Sequence, residues 1–230
     1  YPHRNGAEGF QPINTSVPTL QEQFHNAGYL QGILGKVKHL APPEKYKWDM
    51  VEDYEDLGCG RNPELYYKYA GDFFRQAAGQ KKSFFLMANS HDPHRPFHGS
   101  AQEQKKFAKV LKDIPAPSRV YKGEEIEVPG FLAKLPDVRK EIAQYYSSVR
   151  RCDDTVGAVL RALRESGQTD NTLIMFLSDN GMALPFAKTN CYLHSTRTPW
   201  IGAWPGRIKP GTVDRQHFIS GIDFMPTALD

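Results

Sequence analysis

Cysteine is scarce in this sequence. Cys59, Cys152 and Cys191 are the only three among 230 residues, and none lies at CxxC spacing. That excludes a disulfide-stapled mini-domain and a zinc-finger module. An odd count leaves at least one thiol unpaired within the chain, and the count by itself selects no compartment. An excess of one charge is also lacking: 29 basic and 26 acidic residues give a net charge of +3, without the clustered basic footprint of a nucleic-acid binder. No apolar run approaches the roughly 20 residues of a membrane-spanning helix. The opening YPHRNGAEGF has no apolar signal-peptide core, which bears on export only for a chain that begins there. Internal repeats and low-complexity linkers are missing too, so residues 1–230 are read as one domain. What is present, 40% apolar and 24% charged residues, suffices for one substantial core.

Helical and strand signals alternate along the chain. Pro18 to Ala27 carries Leu20, Phe24 and Ala27 at helical spacing, and Gly28 stops it before the strand-like YLQGIL. Pro63 opens a helix whose stripe is Leu65, Tyr66, Tyr69, Phe73, Phe74 and Ala77, with SFFLMANS following as a second buried strand. Residues 99–136, with four prolines, read as a long surface excursion. From Asp137, Val138, Ile142, Tyr145, Val149, Cys152, Val156, Val159, Leu160 and Leu163 mark a long helix that ends near Gly167 and leads into TLIMFL, residues 172–177. A continuous apolar run of that kind suits a strand covered on both faces. The alternation predicts an α/β fold with a mostly parallel central sheet flanked by helices.

Chemistry-bearing residues gather where the strands end. After YLQGIL come Lys36 and His39; after SFFLMANS comes His91-Asp92-Pro93-His94-Arg95-Pro96; after TLIMFL come Asp179 and Asn180. In open α/β sheets ligands collect at the carboxyl ends of strands. Asp179 and Asn180 offer two hard oxygen donors of the type Ca²⁺ or Mg²⁺ prefers, which is too few for a complete shell. Asp153 and Asp154 lie in a helical segment, point about 100° apart, and are read as solvated or capping residues outside the site.

The G-K-x-x-H loop, the H-D-P-H-R-P turn, S-D-N-G and the later AKTNCYLHSTRTPWIGAWPG, in that order and spacing, resemble the formylglycine-dependent sulfatases of the alkaline phosphatase superfamily. HDPHR with SDNG and K-T-N resembles the heparan N-sulfatase branch, while GKVKH resembles the loop of iduronate-2-sulfatases. The resemblance implies that Asp179 and Asn180 bind Ca²⁺, with Mg²⁺ the lesser candidate. It implies sulfate contacts for Lys36, for His94 and for Lys188, the last nine positions beyond Asp179. His39 would assist proton movement at the nucleophile, His94 would protonate the leaving group, and Asp92 would touch substrate. Tyr192, His194 and Arg197 fall in the same matched segment without an assigned role. The implied partner is a sulfated saccharide of glucosamine type, not a nucleic acid or a membrane. Asn14-Thr15-Ser16 fits a glycosylation triplet, in keeping with a periplasmic, secreted or lysosomal setting.

One departure is large. The family makes its formylglycine from C/S-x-P/A-S/A-R, and CGRNP, CDDTV and CYLHS do not fit. The first metal-binding aspartate pair is missing as well, and Tyr1-Pro2-His3-Arg4-Asn5-Gly6 resembles the stretch that follows the nucleophile motif. The chain is therefore expected to be a catalytic-domain segment without its nucleophile region and C-terminal subdomain, inactive alone. A phosphodiester or phosphonate hydrolase of the same superfamily, and a non-catalytic carbohydrate-binding relative, stay open at this point.

Overall fold

The computed structural model describes residues 11–230; the Tyr1–Gly6 stretch lies outside them. Helix α1 (Leu20–Asn26) begins at Thr19, whose side chain caps Glu22 while Glu22 caps Thr19 in return, satisfying two donors that a helix start leaves unpaired. Strand β1 (Leu30–Leu34) is buried at every position. It is flanked in parallel by β2 (Met50–Glu52) and β3 (Phe84–Ala88), with Ile33 opposite both Val51 and Met87. Helix α2 (Pro63–Gln80) starts on the Asn62 cap and buries Tyr66, Ala70, Phe73, Phe74 and Ala77. These side chains meet Leu30 and Leu34 of β1 in one core cluster. Each large apolar side chain so enclosed contributes about 1.5–3 kcal/mol. A parallel sheet flanked by helices is present, as the alternation of signals predicts.

The short α3 (Ala101–Lys106) precedes the long α4 (Pro136–Glu165), whose Ala162 and Leu163 join the first core. Farther up, Ile142 and Ala143 of α4 build a second core with Phe97, Ile126 and Leu184. Two expectations are corrected here. Residues 99–136 are not merely a surface excursion, because Phe107, Ile114, Ile126 and Val128 are buried. They are anchored by backbone donors of His98 and Tyr121 to the hydroxyls of Ser148 and Ser147 on α4. The apolar run 172–177 does form β4 (Ile174–Leu177), but its partner is antiparallel β5 (Trp200–Ala203), just beyond α5 (Leu193–Thr196). Among the described residues no strand of the β2–β1–β3 sheet bonds to it. An apolar run reports the surroundings a strand needs; its hydrogen-bonding neighbour is a non-local choice. The last helix, α6 (Phe224–Leu229), follows. No helix among the described residues is long and apolar enough to cross a membrane.

Candidate active site

The ends of β1 and β3 are stitched together. Asn89, just past β3, donates its amide to the carbonyls of Leu34 and Gly35 at 3.3 and 3.1 Å, and the buried Tyr66 hydroxyl donates to the Asn89 carbonyl at 2.7 Å. From this junction Lys36 takes a left-handed backbone, φ 62°, and opens the 3₁₀ turn that carries His39. A bulky residue in that region stores strain, which folds tolerate mainly where function needs a side chain placed.

The turn after β3 is held by a buried ionic network. Asp92 is 4% exposed; its carboxylate accepts from Arg151 Nε at 2.5 Å and forms an ion pair with Arg61, whose Nε lies 3.2 Å away without a hydrogen-bonding geometry. Arg151 also reaches Glu103 at 3.0 Å. Arg61 donates Nη2 to the carbonyl of His94 at 2.9 Å. His94 Nδ1 lies 2.7 Å from the Arg95 carbonyl; a carbonyl only accepts, so Nδ1 carries the proton and Nε2 is the nitrogen left for a ligand. Arg95 closes the frame from the other side, donating to the Ala183 carbonyl at 3.1 and 3.2 Å, pairing with Glu141 and lying over the Phe97 ring.

At the β4 end, Gly181 donates to the Ser195 carbonyl at 3.0 Å. A Cβ at this position would lie 1.9 Å from the His194 carbonyl oxygen and 2.4 Å from that of Ala187. Only glycine permits this approach, and through it the segment bearing Lys188 folds directly over the Asp179-Asn180 turn. Ser178 Oγ donates to the Asn180 carbonyl at 3.0 Å.

The electrostatics show which of these groups share one field. Burial is the main cause that lowers the pKa of Lys36; Asp179 opposes it, and Arg61 and Lys188 add to it. His39 is lowered by burial and by Lys36, against Asp53 and Asp179. His94 is lowered by the protein packed around its ring, against its contact with the Arg95 carbonyl, and further by Lys188, Lys36 and Arg61. His91 is pushed down to about 3, first by burial, then by Lys36 and Arg61. Lys36, His39, His94, Lys188 and Asp179 are thus brought together from three loops, with Asn180 adjacent in the chain. Asp92 is placed otherwise than expected: its carboxylate is sealed between two guanidiniums and is not presented to a substrate. Asp153 and Asp154 pair with Arg150 on α4, and Asp154 also takes the Ser118 backbone donor. Arg61 and Arg151 are the groups that sequence reasoning missed, since nothing in local pattern distinguishes a buried arginine from a solvated one.

Asp179 and Asn180 are consecutive in the bend after β4, and their carboxylate and carboxamide each offer an oxygen donor. Their chemistry fits a hard cation. Among the described residues no group of three or more His, Cys, Asp or Glu side chains gathers around them, so a cation held here would need further donors from elsewhere.

The family model for "Sulfatase" matches residues 1–230. The chain belongs to the sulfatase family. Human N-sulphoglucosamine sulphohydrolase is 32% identical to this sulfatase chain over 247 aligned positions, covering 99% of the chain and 48% of the human protein. The uncharacterized sulfatase YdeN of Escherichia coli is 42% identical, over 97% of this chain and 34% of its own length. The chain spans at most about half the length of these relatives. Among solved structures, BT4656 in complex with its substrate D-glucosamine-2-N,6-O-disulfate superposes with a TM-score of 0.61 at 16% identity, over 92% of this sulfatase chain and 60% of that one. At that identity the likeness concerns the fold.

Proposed function

We propose that the complete protein containing this chain hydrolyses sulfate groups from a sulfated saccharide of glucosamine type, carried on oxygen or nitrogen. The observation that carries this reading is the shared field of Lys36, His39, His94 and Lys188, with Asp179 acting on Lys36 and His39, in a chain matched end to end by the sulfatase family. The names of the human relative and of the BT4656 ligand support the choice of sugar.

In this reading Lys36 and Lys188 bind the peripheral sulfate oxygens and stabilise the charge that grows there as the sulfur–oxygen or sulfur–nitrogen bond stretches. His94, its Nδ1 proton tied to the Arg95 carbonyl, takes up a second proton on Nε2 once the sulfate anion beside it offsets the burial and cations that lower its pKa, and gives it to the departing sugar oxygen or nitrogen; the products are the free sugar and sulfate. General acid assistance of this type typically supplies a hundredfold to ten-thousandfold. His39 serves proton movement on the nucleophile side. Arg61 and Asp92 act as positioning residues, because they fix the backbone of His94 without facing the ligand. Asp179 and Asn180 would hold Ca²⁺, with further oxygen donors from outside the described residues. When present, the cation supplies Lewis-acid charge stabilisation and a formylglycine side chain supplies the oxygen nucleophile. We also propose an extracytoplasmic setting, supported by the exposed Asn14-Thr15-Ser16 triplet.

The test is sulfate release by the complete protein from N-sulfoglucosamine, 6-sulfated glucosamine and a 2-sulfated uronate, with a phosphodiester alongside. Turnover of a sulfated glucosamine is the expected result. Turnover of the phosphodiester alone points to the neighbouring hydrolase class. Binding without turnover of any of them points to a non-catalytic relative.

A further inference from the structure

Lys188 is flanked in the sequence by Phe186 and Tyr192, two exposed aromatic residues that no step above uses. Phe186 is 53% exposed and Tyr192 is 58% exposed, yet the rings meet, with centroids 5.8 Å apart and planes at 59°. Phe186 adopts φ 62° and Thr189 adopts φ 59°, so non-glycine left-handed residues stand on both sides of the lysine. Such a conformation costs a β-carbon-bearing residue roughly 1–2 kcal/mol, and here it sets the phenyl ring against Tyr192 and outside both core clusters. Asn190 locks the tyrosine to the lysine: its Nδ2 donates to the Lys188 carbonyl at 2.9 Å, and its Oδ1 accepts from the Tyr192 backbone at 2.9 Å. The same segment rests on the Asp179-Asn180 turn through the carbonyls of Ala187 and His194 that crowd Gly181. His194, by contrast, already has its ring covered, stacked on Phe131 at 4.1 Å and 22°.

We propose that Phe186 and Tyr192 form an aromatic ledge that binds the C–H face of the sugar whose sulfate enters beside Lys188, so that this loop selects saccharides as well as anions. A pyranose ring presents axial C–H groups to one side and hydroxyls around its rim, and the carbons match the negative face of an aromatic ring while the hydroxyls stay in water. A preset ring pair adds binding at little entropic cost. The proposal rests on the sulfatase reading.

Glycine at position 186 separates ring from fold, since it removes the phenyl group and relieves the left-handed strain together. In the complete protein, Phe186→Gly and Tyr192→Ala are each expected to raise KM for the sulfated glucosamine that the wild type hydrolyses fastest by about three- to tenfold. The inhibition constant of inorganic sulfate, which engages the cations without a sugar, should move by a smaller factor. The melting temperature of Phe186→Gly should not fall below that of the wild type. Phe186→Tyr should keep the wild-type KM. An unchanged saccharide KM in both variants, or a parallel rise of KM and the sulfate inhibition constant, overturns the ledge and leaves the sulfatase reading intact. A wild type that releases sulfate from none of the sugars overturns both.

Discussion

Lys188 acts on its surroundings through charge: it is one of the cations that lower the pKa of both Lys36 and His94. Replacing it with alanine should reduce kcat/KM of the complete enzyme by about 10²–10³, the usual loss when one donor to developing charge is removed, with little change in melting temperature. The same substitution removes a cation that disfavours protonation of His94, so the His94 pKa should rise, and ring-resonance titration by NMR measures this directly. His91 leads to a stability prediction. Its Nδ1 is buried without a partner among the described residues, pressed against Gly60, where a Cβ would lie 1.9 Å away, and its ring meets Tyr54 edge-on at 4.9 Å. In the folded chain it protonates near 3 in place of its ordinary 6.5. Between these values the unfolded chain binds a proton that the folded chain refuses. Stability should therefore be complete above pH 6.5 and decline as pH falls toward 3, with a slope of at most about 1.4 kcal/mol per pH unit from this group. Denaturant titrations at pH 4, 5.5 and 7 should show that slope in the wild type and a shallower one in His91→Gln.

Helix α4 shows what an element's sequence discloses and what it hides. Its existence and its start at about Asp137 were legible from apolar spacing, as was the α2 stripe of Tyr66, Phe73, Phe74 and Ala77. The face that α4 buries was not: Val149 and Leu160 are 39% and 37% exposed, while Ser147, Ser148, Arg151 and Thr155 are buried. Hydrophobic periodicity treats a polar residue as outward-facing, and it fails where hydroxyls accept backbone donors from an incoming loop and a guanidinium meets two carboxylates. The same blindness misplaced Asp92, whose motif context suggested a ligand contact while its true partners come from 61 and 151. The strand-exit residues Lys36, His39, His94 and Asp179 were legible because turn chemistry and strand ends are local; their convergence depends on pairings that are not. Removing one member of a buried ion pair leaves the other uncompensated, typically at 3–5 kcal/mol. Arg151→Met should destabilise by about that much in urea unfolding. Arg61→Lys, which keeps the charge but loses the fork that reaches both Asp92 and the His94 carbonyl, should destabilise less and lower kcat more than it raises KM.

At the scale of the whole molecule, the proposed cation site is where the described residues would be incomplete. Asp179 and Asn180 provide two donors where Ca²⁺ takes six to eight oxygens, and no carboxylate-rich group among the described residues makes up the difference. A site completed by distant parts of the protein joins them only in the folded state, so the ion should stabilise the complete protein by RT ln(1 + [L]/Kd), about 2.7 kcal/mol at a hundredfold excess over Kd. Chelation by EDTA should then lower the melting temperature by several degrees, and Ca²⁺ should restore it more fully than equimolar Mg²⁺, which tolerates a larger, flexible oxygen cage poorly. Asp179→Ala should abolish the response to both ions while keeping a cooperative melt, because the residue is exposed at a turn and supports no core packing. Differential scanning calorimetry of wild type and variant, with and without chelator, reads this independently of turnover. A wild-type melt that is identical in EDTA and in millimolar Ca²⁺ would remove the metal from this site and leave the lysines and His94 to be explained without it.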